Sequence, residues 1–177
     1  TLLPVNYYKN LLSSKKDNYA VYADSAFREE QRLLFIGRDV SSLYTRRTLG
    51  EFHRIALYIQ QVLRAKKGNY LIFFPSYRFM EDVYEQFLAV NEQEADCMMQ
   101  SGNMNEADRE EFIQEFSNPR GKSLAAFCVL GGIFSEGIDL KEERLIGAVI
   151  VGTGLPMVCV EQEVLRGYFE EKEEAGF

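Results

Sequence analysis

Leu124-Ala125-Ala126-Phe127-Cys128-Val129-Leu130-Gly131-Gly132-Ile133-Phe134-Ser135-Glu136-Gly137-Ile138-Asp139 decides the architecture. Seven apolar residues without alternation read as a strand buried on both faces, the pattern of a parallel sheet. Two glycines then end the strand and open a loop that carries Ser135, Glu136 and Asp139. Glycines let a backbone approach a phosphate closely, and two acids three apart can accept from a ribose hydroxyl. A tight turn would use the same Gly-Gly pair, so the stretch alone fixes a strand and leaves the chemistry open.

Working outward, the same unit recurs. Tyr70 to Phe74 is a second apolar strand, ended by Pro75-Ser76-Tyr77, and Leu145 to Val151 is a third, followed by Gly152-Thr153-Gly154-Leu155-Pro156. Leu33 to Ile36 reads as a further buried strand stopped by Gly37, residues 19–22 as a short strand, and Ala95 to Gln100 as another short one. Between them lie helical periods. Residues 50–66 place Phe52, Ile55, Ala56, Ile59, Val62 and Leu63 at three- and four-residue steps before Gly68-Asn69. Residues 77–90 turn Val83, Phe87 and Leu88 inward. A third helix starts at Asn105, an N-cap residue followed by acids that suit the helix dipole, and buries Phe112, Ile113 and Phe116. A charged helix is expected over 160–174. Strands alternating with helices predict an α/β domain over residues 1–177, with a mostly parallel sheet covered by helices on both faces. Ligands of such sheets bind outside the carboxyl ends of the strands.

Composition narrows the partners. The 177 residues are 46% apolar and 27% charged, as in a soluble globular protein, with a net charge of −7. That balance argues against a uniformly basic nucleic-acid binder, but it is unevenly spread: residues 1–80 carry +7, residues 81–115 carry −10 and residues 116–177 carry −4. The segment from Arg38 to Thr48 holds three arginines and several hydroxyls and reads as a loop. Arg46 or Arg47 either supplies phosphate contacts or belongs to a solvated loop. The acids of 81–115 read as solvated helix faces. Cys97, Cys128 and Cys159 have no metal-site spacing, and Cys128 sits in an apolar run as a core residue. No metal site is expected. No apolar stretch reaches the roughly 20 residues of a membrane span, so a cytoplasmic protein without a membrane partner is expected. The N-terminus lacks a charged leader, and its abrupt start reads as a piece of a longer chain. Gly121-Lys122-Ser123 imitates the end of a phosphate loop, but Phe116 stands where its first glycine belongs, and a helix precedes it where a strand should. His53 has no carboxylate and nucleophile around it and reads as a surface or packing residue.

The strand-end loops, taken in order, resemble the DinG/XPD-type DNA helicases of superfamily 2. Gly132-Ile133-Phe134-Ser135-Glu136-Gly137-Ile138-Asp139-Leu140, with Ile146 to Val151 and Gly154-Leu155-Pro156, resembles motif V and its sequel. Tyr70 to Tyr77 looks like motif IV. Gln100 falls where the family often has a glutamine, and Thr1-Leu2 with Pro4 looks like the trailing edge of motif III. The resemblance implies a second RecA-like motor domain, cut before motif VI, from an ATP-dependent DNA helicase of the DNA-repair type. Ser76, Tyr77, Gly132, Phe134 and Ser135 would then lie near single-stranded DNA, while Glu136, Gly137 and Asp139 would face the interdomain ATP cleft. ATP and Mg2+ would be held mainly by a first motor domain of the same chain. No complete catalytic set is implied here, and the isolated piece is expected to be inactive. Two other readings stay open: a Rossmann-type nucleotide- or cofactor-binding enzyme domain, and a non-catalytic protein-interaction domain with acidic helices.

Overall fold

The computed structural model describes residues 28–154 and 159–171, together with Val5, Tyr8, Lys9, Tyr19 and residues 21–24. The chain forms two compact units, Thr1–Ile36 and Gly37–Phe177. In the first, a 3-10 turn covers Glu29–Gln31. The run Leu33–Ile36 is not a strand, and its four side chains are 72–79% exposed. This corrects the expectation of a buried strand: four apolar residues satisfy the length of a strand, but among the described residues no strand pairs with them. Tyr19, Val21 and Tyr22 likewise form no strand and are exposed.

The second unit is α/β. Its elements, in chain order, are α1 (Leu49–Ala65), β1 (Asn69–Phe74), α2 (Tyr77–Val90), β2 (Ala95–Met99), α3 (Glu106–Gln114), β3 (Ser123–Val129), β4 (Gly147–Ile150) and α4 (Val160–Glu171). The expected end of the last helix at 172–174 lies outside the described residues, as do Leu155, Pro156 and the first four residues. All four strands are parallel, in the order β2-β3-β1-β4. Tyr70 pairs with Ala125 on one side and Gly147 on the other, so β1 and β3 occupy the centre. That explains why every residue of β3 is buried.

Residues alternate across the sheet and build a core on each face. Tyr70, Ile72, Phe74, Ala125, Phe127 and Val129 meet α1 and α2 through Phe52, Ile55, Ile59, Phe79, Met80, Val83 and Phe87. Leu71, Leu124, Ala126 and Cys128 meet Phe112, Phe116 and Phe134 on the other face. The topology requires this division. From β1 the chain crosses outward to β2, and from β2 it returns inward to β3. Two right-handed crossovers in opposite directions put α2 and α3 on opposite faces. Phe127 anchors the first core, with Phe74 stacked at 5.9 Å, Tyr84 edge-on at 4.9 Å and Phe87 tilted at 5.3 Å. Leu88, expected inward, is half exposed. It lies about 100° round the helix from Phe87, and Phe79, Met80 and Val83 already fill the buried stripe.

Caps set the helix starts. Thr48 accepts from the Glu51 N–H at 3.3 Å, Ser76 from the Phe79 N–H at 3.4 Å, and Asn105 and Asp108 exchange two bonds of 3.0 Å in a capping box. Among the described residues no helix is long and apolar enough to cross a membrane.

Candidate nucleic-acid and nucleotide interface

The carboxyl ends of all four strands lie along one edge of the sheet, and the sequence-predicted residues gather there. The chain leaves β1 toward α2 on the first face and leaves β3 toward Phe112 on the second. Neighbouring strands that send their chains to opposite faces open a crevice between them, the usual ligand position in open α/β sheets. Main-chain bonds hold the edge firmly. Leu130 N–H donates to the Phe74 carbonyl, Val151 to Phe73 and Gln100 to Phe127, each at 2.8 Å.

Two side chains, Gln100 and Tyr77, and the main chain at Gly132 occupy the crevice. Gln100 is 2% exposed at the end of β2. Its carbonyl oxygen accepts from the Val129 N–H at 3.0 Å, and its amide nitrogen donates to the Tyr77 hydroxyl at 2.9 Å. Gly132 presses against this amide: a Cβ at 132 would stand 3.0 Å from the Gln100 Nε2 and from the Val129 carbonyl oxygen, so only glycine fits without displacement. Gln100 therefore joins Tyr77 of the β1 end to the loop of the β3 end. Tyr77 keeps about a third of its surface open to solvent.

The 131–139 loop is pinned from below and from the side. Phe134 is 1% exposed and stacks on Phe112 at 4.2 Å. Its side chain belongs to the core, because an aromatic ring after Gly-Gly loses less by packing under the loop than by standing in water. Ser135 donates its hydroxyl proton to the Val129 carbonyl at 3.1 Å. Arg109 reaches across from α3, donating to the carbonyls of Ile133 at 3.4 Å and Gly137 at 3.3 Å while pairing with Glu106 at 3.0 Å. Glu136, Gly137 and Asp139 are exposed on the loop's outer limb, and Asp139 pairs with Lys141 at 3.0 Å.

The arginine loop joins the same edge. Gly152 has φ +91°, a conformation side chains rarely adopt, and a Cβ there would stand 2.5 Å from the Ser42 hydroxyl. This close approach seats residues 38–48 beside the end of β4. Arg47 does not face outward. Its guanidinium lies 4.2 Å from the Phe79 ring centroid and 5.5 Å from that of Tyr44, and its Nε donates to the Ser42 carbonyl at 3.3 Å. Arg47 thus holds the loop, while Arg46 is exposed on it. Glu51, 2% exposed in the first turn of α1, accepts from the Ser41 N–H and from Arg54. Burial alone would push its carboxyl up, but the Arg54 guanidinium and the Ser41 N–H outweigh burial and hold it below the ordinary glutamate range. Glu51, Arg109 and the bonding of Gln100 escape a sequence reading because their partners are mostly main-chain groups. His53 is exposed on α1, outside this constellation.

An α/β domain with an all-parallel sheet, helices on both faces and a polar, glycine-lined carboxyl edge is the RecA-like class. Residues 59–177 match the family model described as the helicase C-terminal domain, and the chain belongs to that family. Two solved structures share its fold. One is described as XPD in its apo form (23% identity, TM-score 0.55, covering 75% of this chain and 26% of that one). The other is described as XPD helicase (23% identity, TM-score 0.56, covering 75% of this chain and 22% of that one). The chain thus spans about a quarter of the length of the structures it matches.

Proposed function

We propose that this chain is the second motor domain of an ATP-dependent DNA helicase, gripping single-stranded DNA at the carboxyl edge of its sheet and completing an ATP site against a first motor domain. The observation that carries this reading is the Tyr77–Gln100–Gly132 junction, which couples a prospective DNA-facing residue to the loop that bears Glu136 and Asp139. Tyr77, the Ser76 hydroxyl, Arg46 and the glycine-lined main chain at 132 offer donors and a ring edge to a sugar–phosphate backbone. Binding of that kind is tolerant of sequence and weakened by salt.

The outer limb of the loop suits a different ligand atom. Exposed carboxylates at Glu136 and Asp139 can accept from a nucleotide sugar hydroxyl, but two acids repel phosphates. The triphosphate and Mg2+ therefore belong to the first motor domain, which supplies charge neutralisation; this chain supplies position. Motion of the 131–139 loop with nucleotide would reach Tyr77 through Gln100, and so alter the grip on the strand. The isolated chain is expected to hydrolyse no ATP.

Asp139→Ala in the complete protein tests the assignment. Asp139 is exposed and pairs only with Lys141 among the described residues, so the thermal midpoint should hold, while DNA-stimulated ATPase should fall at least tenfold. ATPase near the unmodified rate would remove Asp139 from the cleft.

A further inference from the structure

Three hydroxyls at the ends of β1 and β3 differ in what remains for a ligand. Ser135 spends its proton on the Val129 carbonyl. Ser76 accepts from the Phe79 N–H as helix cap and keeps its proton. Tyr77 is set by Gln100. The Val129 N–H is a donor fixed by the main chain, so the Gln100 oxygen must face it, and the amide NH2 must then face Tyr77. Because Gln100 donates to it, the Tyr77 oxygen acts as acceptor, and its own proton cannot point inward. No acceptor among the described residues receives that proton, and the residue is 36% exposed.

We propose that Gln100 is a positioning residue that fixes the polarity of the Tyr77 hydroxyl, making Tyr77 an outward donor to a phosphodiester oxygen of the bound single strand. The inference rests on the DNA-gripping reading above and adds to it the chemical direction of one contact. A phosphate oxygen accepts and cannot donate, so an outward lone pair at this position would repel it, whereas an outward proton gives a charge-assisted bond. The Gly132 approach matters for the same reason. Without a side chain at 132, the loop main chain lies directly against the Gln100 amide, and no side chain at that position competes for its bonds.

Gln100→Glu reverses the polarity with little change of shape. The introduced carboxylate still accepts from the Val129 N–H, but toward Tyr77 it can only accept, so the tyrosine proton turns inward. Tyr77→Phe removes the same proton directly. Each variant of the complete protein should bind a fluorescent oligo-dT single strand about tenfold more weakly by anisotropy, the scale of one hydrogen bond to a charged group. In the Tyr77→Phe background, Gln100→Glu should cost less than about threefold, since the proton it would redirect is already gone. The slope of affinity against salt should be unchanged in Tyr77→Phe, because a neutral donor is lost and no cation leaves a phosphate.

Equal cost of Gln100→Glu in both backgrounds would overturn the inference, since the introduced charge alone would then explain the loss. So would a shallower salt slope in Tyr77→Phe, which would mean that the whole edge had shifted. Unchanged affinity in Tyr77→Phe, with firm binding by the unmodified protein, would sink the inference and leave the helicase reading standing. An unmodified protein that fails to bind the strand would remove both.

Discussion

The loop before α1 and the loop after β3 reach the same edge of the sheet and are anchored by opposite means. The first, residues 38–48, is rich in arginine and is tied by an acid: Glu51 accepts from its main chain at Ser41, and the Arg47 guanidinium lies over the Phe79 ring. The second, residues 131–139, carries acids and is tied by an arginine, with Arg109 donating to two of its carbonyls. Beneath the second loop, however, Phe134 also enters the core. The first loop has no fully buried apolar anchor, and Val40 is only partly buried against the core. A charge on such a loop therefore has two unlike uses. It can stand exposed at the edge, as Arg46 and Asp139 do, or hold the loop for its neighbours, as Arg47 does. The anchors differ in what should disturb them: an apolar plug is indifferent to pH, and a carboxylate pin is not.

The largest effect should come from pulling the plug. Phe134→Ala removes a ring that is 1% exposed and stacked on Phe112, and should cost about 3–5 kcal/mol in urea unfolding, as Phe-to-Ala changes in cores do. If it costs under about 1 kcal/mol, the loop is not anchored through the core, and the contrast between the two loops collapses.

The carboxylate pin should be weaker and should depend on pH. Glu51→Gln keeps the shape but gives up the charge that Arg54 and Ser41 address, a loss of about 1–2 kcal/mol at neutral pH. Because the folded protein holds the Glu51 pKa below its ordinary value, the stabilisation is present at neutral pH and is lost as pH falls through that lowered value. Unfolding curves of the two proteins should converge in acid. A gap that persists unchanged at low pH would mean that the effect is one of shape and not of charge.

The contrast also explains which parts of the molecule a sequence can show. Strands β1 and β3 are legible because burial on both faces leaves apolar runs, α2 because Val83 and Phe87 recur at helical spacing, and α3 because Asn105 caps it visibly. Cys128 is core as its neighbours imply, and burial pushes its thiol up to about 12. Leu33–Ile36 misleads because an apolar run records a tendency to be covered without naming what covers it. At the edge, residue types in the 76–77 and 131–139 segments mark the place, but not which side chains face outward. Arg47 and Phe134 look like ligand contacts in one dimension and are anchors in three. Glu51 and Arg109 look like ordinary helix charges, since the main-chain atoms they address leave no trace in the sequence. Glycines such as Gly131, Gly132, Gly137 and Gly152 do hint at the close approaches and turns.

Arg109 should give the smallest change in stability and the most local one. Its side chain is about four-fifths buried, yet the bonds to Ile133 and Gly137 are long, at 3.4 and 3.3 Å, and Phe134 holds the loop independently. Arg109→Ala should therefore cost only about 1 kcal/mol of global stability. The consequence should appear in hydrogen exchange within the loop, where the Gly132 and Ser135 amides bond to the carbonyls of Val129 and Gly132 at 3.1 and 3.0 Å. Releasing the outer limb lets those turns open more often, so both amides should exchange about fivefold faster while amides of β3 keep their protection, as a local opening requires. Arg109→Lys should not restore protection, because an ammonium is a point charge and cannot span two carbonyls as the planar fork does. Full protection in the lysine variant would show that charge near Glu106 suffices. In that case the two loops would be pinned by the same device after all, an ion pair on the helix beside them.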